Sequence, residues 1–222
     1  MSDWITDAVD TQTFSCLRRN TVLNTSYCVR AFATAASMLL PIAGHGDTGT
    51  RGPGSAPAAM NVVDSNGSMH VPENYRLDYQ YLGSWAVAAD QVSGSKELHI
   101  VFASPGAARA YRAGGAFPQG TVLVKEVFQA TTASMTTGTV SHSKTLKGWF
   151  VMVRDTTGQH AGNKLWGDGW GWSWFDAGNP TRTTSTDYKS DCRGCHVPAQ
   201  AAEWVYVDGY PSLWAEASAG AR

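Results

Sequence analysis

Residues 121–129 read Thr-Val-Leu-Val-Lys-Glu-Val-Phe-Gln, and their alternation decides the fold. The stretch is rich in β-branched residues, and a period of two puts Leu123, Lys125 and Val127 on one face while Glu126 points the other way. Outward from this strand the same signature returns. Glu97–Ala103 (ELHIVFA) reads as a strand in which Leu98 and Ile100 flank His99 and face away from it. Thr136–Ser141 and Lys147–Arg154 (KGWFVMVR) read as a further strand pair. Leu165–Asp176 (LWGDGWGWSWFD) places Trp170, Trp172 and Trp174 on one face, as a core or dimer surface. Short helices are expected within Asn74–Ala89 and from Ser104-Pro105 to Ala113, where serine caps, proline suits the first turn and Gly114-Gly115 stops the helix. The fold class expected is predominantly β (α+β): an antiparallel sheet core with short helices, and a C-terminal helix around residues 187–204.

Composition narrows what such a fold can do. The chain has 222 residues, enough for one domain plus a tail, and its 17 basic against 18 acidic residues offer no surplus to attract a polyanion. Nucleic acid is therefore not expected as a partner. No apolar run reaches the roughly 18–20 residues of a membrane span. A charged fraction of 16% with 23 glycines argues against long helices.

The N-terminal part reads differently from the rest. Basic Arg18, Arg19 and Arg30 precede the small-residue apolar run 31–43 (AFATAASMLLPIA), and Ala43-Gly44 makes a small-residue exit. Residues 1–46 are thus expected to be a secretory leader, and the protein periplasmic. A start downstream of Met1 would account for the long polar stretch before the run; a cytoplasmic tail with one amphipathic stretch is the other reading. Cys16 and Cys28 fall inside this segment. Residues 47–72, rich in Gly, Pro, Ser and Ala, read as a flexible linker, which leaves 73–214 as the functional domain.

The chemistry is carried by Cys192-Arg193-Gly194-Cys195-His196, the spacing of a c-type haem attachment site. Two thiols on one helical turn can each add to a haem vinyl group, and the adjacent His196 then serves as proximal iron ligand. A redox dithiol, half a zinc site or a disulfide share part of this pattern. A thioredoxin-like site belongs in a βαβ context that is absent here, and the only other cysteine pair is spaced by 12 in the leader segment. Export and haem attachment agree, because c-type maturation takes place outside the cytoplasm. Only 26 residues follow His196 and none is methionine, so a five-coordinate iron with an open position is expected, although Met69, Met135, Met152, His99, His142 or His160 could supply a sixth ligand. Long 3.6-period helices, the mark of four-helix cytochromes c′, are missing.

Four stretches, TVLVKEVF (121–128), LKGWFVMVRD (146–155), LWGDGWGWSWFD (165–176) and DCRGCHVPAQAAEWVYVDGYP (191–211), together resemble the cytochrome P460 family. The resemblance spans about residues 71–213. It implies a periplasmic, mainly β, homodimeric protein with one haem c and a small cytochrome c as redox partner. One branch oxidises hydroxylamine and bonds a lysine to the haem macrocycle; Lys125 matches that lysine in its Val-Lys-Glu context. The sister branch, cytochrome c′-beta, lacks the bond and binds nitric oxide against a phenylalanine-lined face. The bottom-up reading agrees that Lys125 is unusual, since an ammonium on an apolar strand face is costly; a lysine that reaches the sheet edge or pairs with a carboxylate is the alternative.

The remaining candidates are less specific. The resemblance places a carboxylate just after the proximal histidine, where this chain has Val197-Pro198 and no acid until Glu203. His99 could reach the haem pocket or a propionate, Phe102 and Phe128 could crowd the open face, and Arg154 or Arg182 could meet a propionate.

Overall fold

In the computed structural model, residues 62–215 are described. The expected leader and the first part of the expected linker, 47–61, lie outside them. The architecture is a six-stranded antiparallel sheet with few short helices. Its strands are β1 (Gln80–Ala88), β2 (Ser95–Ala103), β3 (Val122–Met135), β4 (Gly138–Arg154), β5 (Trp166–Gly167) and β6 (Trp170–Asp176), in the spatial order β1-β2-β3-β4-β6-β5. Helix α1 (Tyr75–Asp78) precedes β1, and α2 (Ala107–Gly114) connects β2 to β3.

β3 alternates as its sequence demands. Leu123 enters one buried cluster with Val101, Met152, Trp170 and Trp172, while Val122 and Val124 enter another with Trp149, Val151 and Phe175. Each face of the sheet thus carries its own core, and each fully buried aliphatic side chain contributes on the order of 2 kcal/mol of hydrophobic free energy. Trp170 and Trp172 are buried in the first cluster, whereas Trp174 at the end of the row is half-buried.

The expected pairing of 136–141 with 147–154 does not form. Both stretches belong to the single strand β4, which runs back along β3 from a two-residue turn between Met135 and Gly138. Gly138 takes φ 115°, which favours glycine there. No glycine or proline interrupts residues 139–147, so nothing breaks the strand, and two register shifts absorb its irregularity.

The last stretch of the expected linker is ordered against the second core. Val62, Met69 and Val71 are buried, Val63 bridges to Met69, and the indole of Trp166 donates to the Gly67 carbonyl at 2.8 Å.

A single regular C-terminal helix is also not what forms. Lys189–Arg193 makes a π turn, α3 (Gly194–His196) is one short α turn, and Val197–Ala202 is a 3₁₀ helix. Pro198 lacks the N–H that an α-helix would use at that position, which favours the change of helical type just after the motif. No helix among the described residues is long and apolar enough to cross a membrane.

Candidate cofactor-binding site

Between the first-core face of the sheet and the C-terminal segment lies a cavity of about 510 Å³. That is within the roughly 300–1,000 Å³ of small-molecule and cofactor sites. The sheet contributes Trp85 from β1, His99 and Val101 from β2, Leu123 and Lys125 from β3, Phe150 and Met152 from β4, and Trp172 from β6. The C-terminal segment contributes Cys192, Cys195, His196, Val205, Tyr206 and Tyr210. All four residues singled out from sequence, Lys125, Cys192, Cys195 and His196, therefore border one space.

Both thiols are free, Cys192 buried and Cys195 exposed. Burial, with Asp191 beside it, pushes the Cys192 thiol up to about 11, so it stays protonated near neutral pH. The start of the motif is held by Asp191, whose Oδ2 accepts from the backbone N–H groups of Thr186 at 2.7 Å and Asp187 at 3.1 Å. These bonds, with one from the Ser190 hydroxyl, hold the Asp191 carboxyl at about 2.

His196 is fixed from three directions. Its Nδ1 lies 2.7 Å from the Trp204 carbonyl oxygen, its ring meets Trp172 edge-on at 5.0 Å, and Tyr206 packs at 5.9 Å. A carbonyl only accepts, so Nδ1 carries the hydrogen and Nε2 keeps its lone pair, the tautomer of a metal-binding imidazole. Burial lowers the His196 pKa and so favours the neutral ring.

The Trp204 carbonyl reaches back because Glu203 and Trp204 are both left-handed, at φ 59° and 66°. Such non-glycine residues carry strain of about 1 kcal/mol or more each. Glu203 is held there at both ends: its carboxylate accepts from Arg154 Nη2 at 2.8 Å and from the Phe117 N–H at 2.9 Å, and its carbonyl from the Trp170 indole at 3.0 Å. The first acid after the motif is thereby spent on backbone geometry, and Arg154 is its partner.

Lys125 is half-buried with its ammonium in the cavity. It lies over the face of Phe150 at 4.4 Å, and no ion pair holds it among the described residues. Desolvation lowers its pKa, and the ionised Glu97 carboxylate opposes the shift. Glu126, one residue on, faces the other side as expected and is buried there.

The other sequence candidates divide. His99 and Met152 border the cavity. Met69 belongs to the second core, Met135 sits exposed at the hairpin end, His142 is exposed and His160 stacks on Trp166 at 4.3 Å. Phe102 packs edge-on against Tyr75 and Tyr81 on the other face, Phe128 is absent from the cavity wall and Arg182 is exposed. Phe150, Trp85, Tyr206 and Tyr210 were not foreseen. Phe150 is the direct cross-strand partner of Lys125, a pairing that becomes legible only once the β3–β4 register is known.

Two free thiols and a lone-pair imidazole at the spacing of the motif, bordering an apolar cavity of this volume, fit a covalently attached haem. The family model described as Cytochrome P460 matches residues 72–207. No curated protein matches the chain.

Proposed function

The chain belongs to the cytochrome P460 family, a family of haem-binding cytochromes, and from that premise we propose that it is a periplasmic mono-haem c-type cytochrome that oxidises hydroxylamine. Cys192 and Cys195 would hold the haem as thioethers, His196 would ligate the iron through Nε2, and Lys125 would be bonded to the macrocycle. When bound, the haem supplies an iron at which a small nitrogen ligand is oxidised, its electrons passing to an external acceptor such as a small cytochrome c. The chain's own residues do the rest. Trp204 and Trp172 keep the His196 ring in place, while Val101, Leu123 and Phe150 line the cavity with apolar surface that excludes water.

The observation that carries this reading is Lys125. Its ammonium sits desolvated in the same cavity as both thiols, with an aromatic face rather than a carboxylate beside it. A bond from Nζ to the macrocycle removes that unpaired charge. One observation favours the sister reading, nitric-oxide binding without turnover: among the described residues the one carboxylate in the cavity wall, Asp191, is engaged by backbone N–H groups. Export, a homodimer and a cytochrome c partner belong to the proposal as what the family implies.

The holoprotein tests it directly. Digestion and mass spectrometry should find the Lys125 peptide joined to haem as well as the 192–196 peptide. The ferrous protein should show a red-shifted Soret band, and hydroxylamine should reduce an acceptor dye. Haem joined only to the cysteine peptide, an ordinary high-spin c-haem spectrum and no dye reduction establish the nitric-oxide reading instead.

A further inference from the structure

Oxidation of a nitrogen hydride releases protons, and the position just after His196 holds Val197-Pro198, which cannot take them. The sheet wall offers a different group. His99 borders the cavity from β2, and its Nε2 lies 3.0 Å from Oε2 of Glu97 on the same strand face. The second oxygen of Glu97 accepts from Lys147 Nζ of β4 at 2.5 Å. Bonding to Lys147 and then to His99 holds the Glu97 carboxyl below its usual range, so it is ionised and can only accept. Nε2 therefore carries the ring hydrogen and Nδ1 keeps the lone pair.

The charged groups facing His99 are Glu97 from its own strand, Lys125 from β3 and Lys147 from β4. Burial chiefly lowers its pKa, Lys147 adds to this, as does Lys125 while its ammonium is free, and Glu97 opposes them; once Lys125 is bonded to the macrocycle, burial and Lys147 remain. A neutral imidazole at neutral pH, oriented by a carboxylate that is itself anchored by a lysine, is the arrangement of an oriented general base.

We infer that His99 is the proton acceptor of this cavity, taking a proton through Nδ1 from a protic nitrogen ligand of the hydroxylamine class, and that Glu97 is its positioning residue. The inference rests on the hydroxylamine-oxidising reading above. In the step, one O–H or N–H bond of the ligand breaks and its electron pair stays with the ligand. The proton forms an N–H bond at Nδ1, and the imidazolium is compensated by the Glu97 carboxylate. The proton then passes to solvent, to which the His99 side chain is 21% exposed. The electrons of the oxidation leave separately to the external acceptor.

The test compares wild-type holoprotein with His99→Gln and Glu97→Gln. In the wild type, kcat/KM for hydroxylamine-dependent dye reduction should fall on the acid side, in a limb below about pH 6.5. His99→Gln should lower kcat/KM by about 10²-fold and remove the His99 part of the limb, leaving only the part set by protonation of hydroxylamine itself. Glu97→Gln should give a smaller loss and move the limb to lower pH, because it removes the one group that raises the His99 pKa. A second readout needs no turnover: ¹⁵N shifts of His99 in the diamagnetic ferrous carbonyl form should report the Nε2–H tautomer, scrambled in Glu97→Gln. This readout keeps the question answerable should His99→Gln fail to fold.

An unchanged rate and limb in His99→Gln overturns the inference, as does an Nδ1–H tautomer. So does a ferric spectrum that turns from low-spin to high-spin in His99→Gln, which would make His99 an iron ligand. A wild type inert towards hydroxylamine overturns the functional reading itself, and is seen before any variant is compared.

Discussion

Lys125 and Glu126 are neighbours on β3, and the two faces of the sheet treat them in opposite ways. Glu126 is buried among partners: the Tyr75 hydroxyl donates to it, Arg76 Nε donates at 2.5 Å, and the Trp149 indole donates to Tyr75 at 2.7 Å. Burial and the Glu126 carboxylate together raise the Tyr75 pKa, so the phenol stays a donor. Around them Val122, Val124, Val151 and Phe175 close the space. Lys125 faces the Phe150 ring and the cavity. A protein that satisfies one buried ionisable group so fully, and gives the adjacent one no ion pair among the described residues, has two kinds of face: one that holds the fold together and one that lines the cavity.

The contrast is open to attack from its stable side first. Glu126→Ala should leave a buried phenol and an indole without their acceptor network, and lower unfolding free energy by about 3 kcal/mol in a denaturant titration. On the other face, Lys125→Met in the haem-free chain should raise stability by about 1 kcal/mol near pH 7, since it deletes a desolvated charge. The sign with pH follows from its lowered pKa: the unfolded chain binds the proton more readily, so wild-type stability rises with pH and the advantage of Lys125→Met fades as pH approaches the ordinary lysine value of about 10.4. Equal losses from both substitutions would break the contrast.

How much of this was legible in the chain varies by the range of the interaction. The alternation of 121–129 is local, and it placed Lys125 and Glu126 on opposite faces correctly. The Cys192–His196 spacing is local too, and its thiols and imidazole do share a cavity. The pairing expected of 136–141 with 147–154 does not form because the polar run 142–145 reads as a break in the sequence but holds no glycine or proline to make one in the strand. The C-terminal helix expected around 187–204 is helical only in pieces of three types, because Pro198 and the tertiary demand on Trp204 override helical propensity. Phe150 and the Glu97–Lys147 contact depend on long-range register, which no local pattern encodes. Ordered packing of 62–71 rests on Val62, Met69 and Val71, too few apolar residues to stand out from a Gly/Pro/Ser background.

The smallest effect expected tests what fixes the C-terminal wall to the sheet. Arg193 donates to Asp168 at 2.7 Å and lies over the Trp204 ring at 5.1 Å, so the motif's own arginine tethers it to the β5–β6 turn. Its side chain is 40% exposed, and exposed ion pairs contribute at most about 1 kcal/mol. Arg193→Ala should therefore lower thermal stability only slightly and leave the haem spectrum unchanged, because the His196 ring is held by Trp204, Trp172 and Tyr206 rather than by this tether. A large spectral change in Arg193→Ala would mean that the wall's placement depends on its surface, and the division between a structural face and a cavity face would then have to include the tether as part of the site.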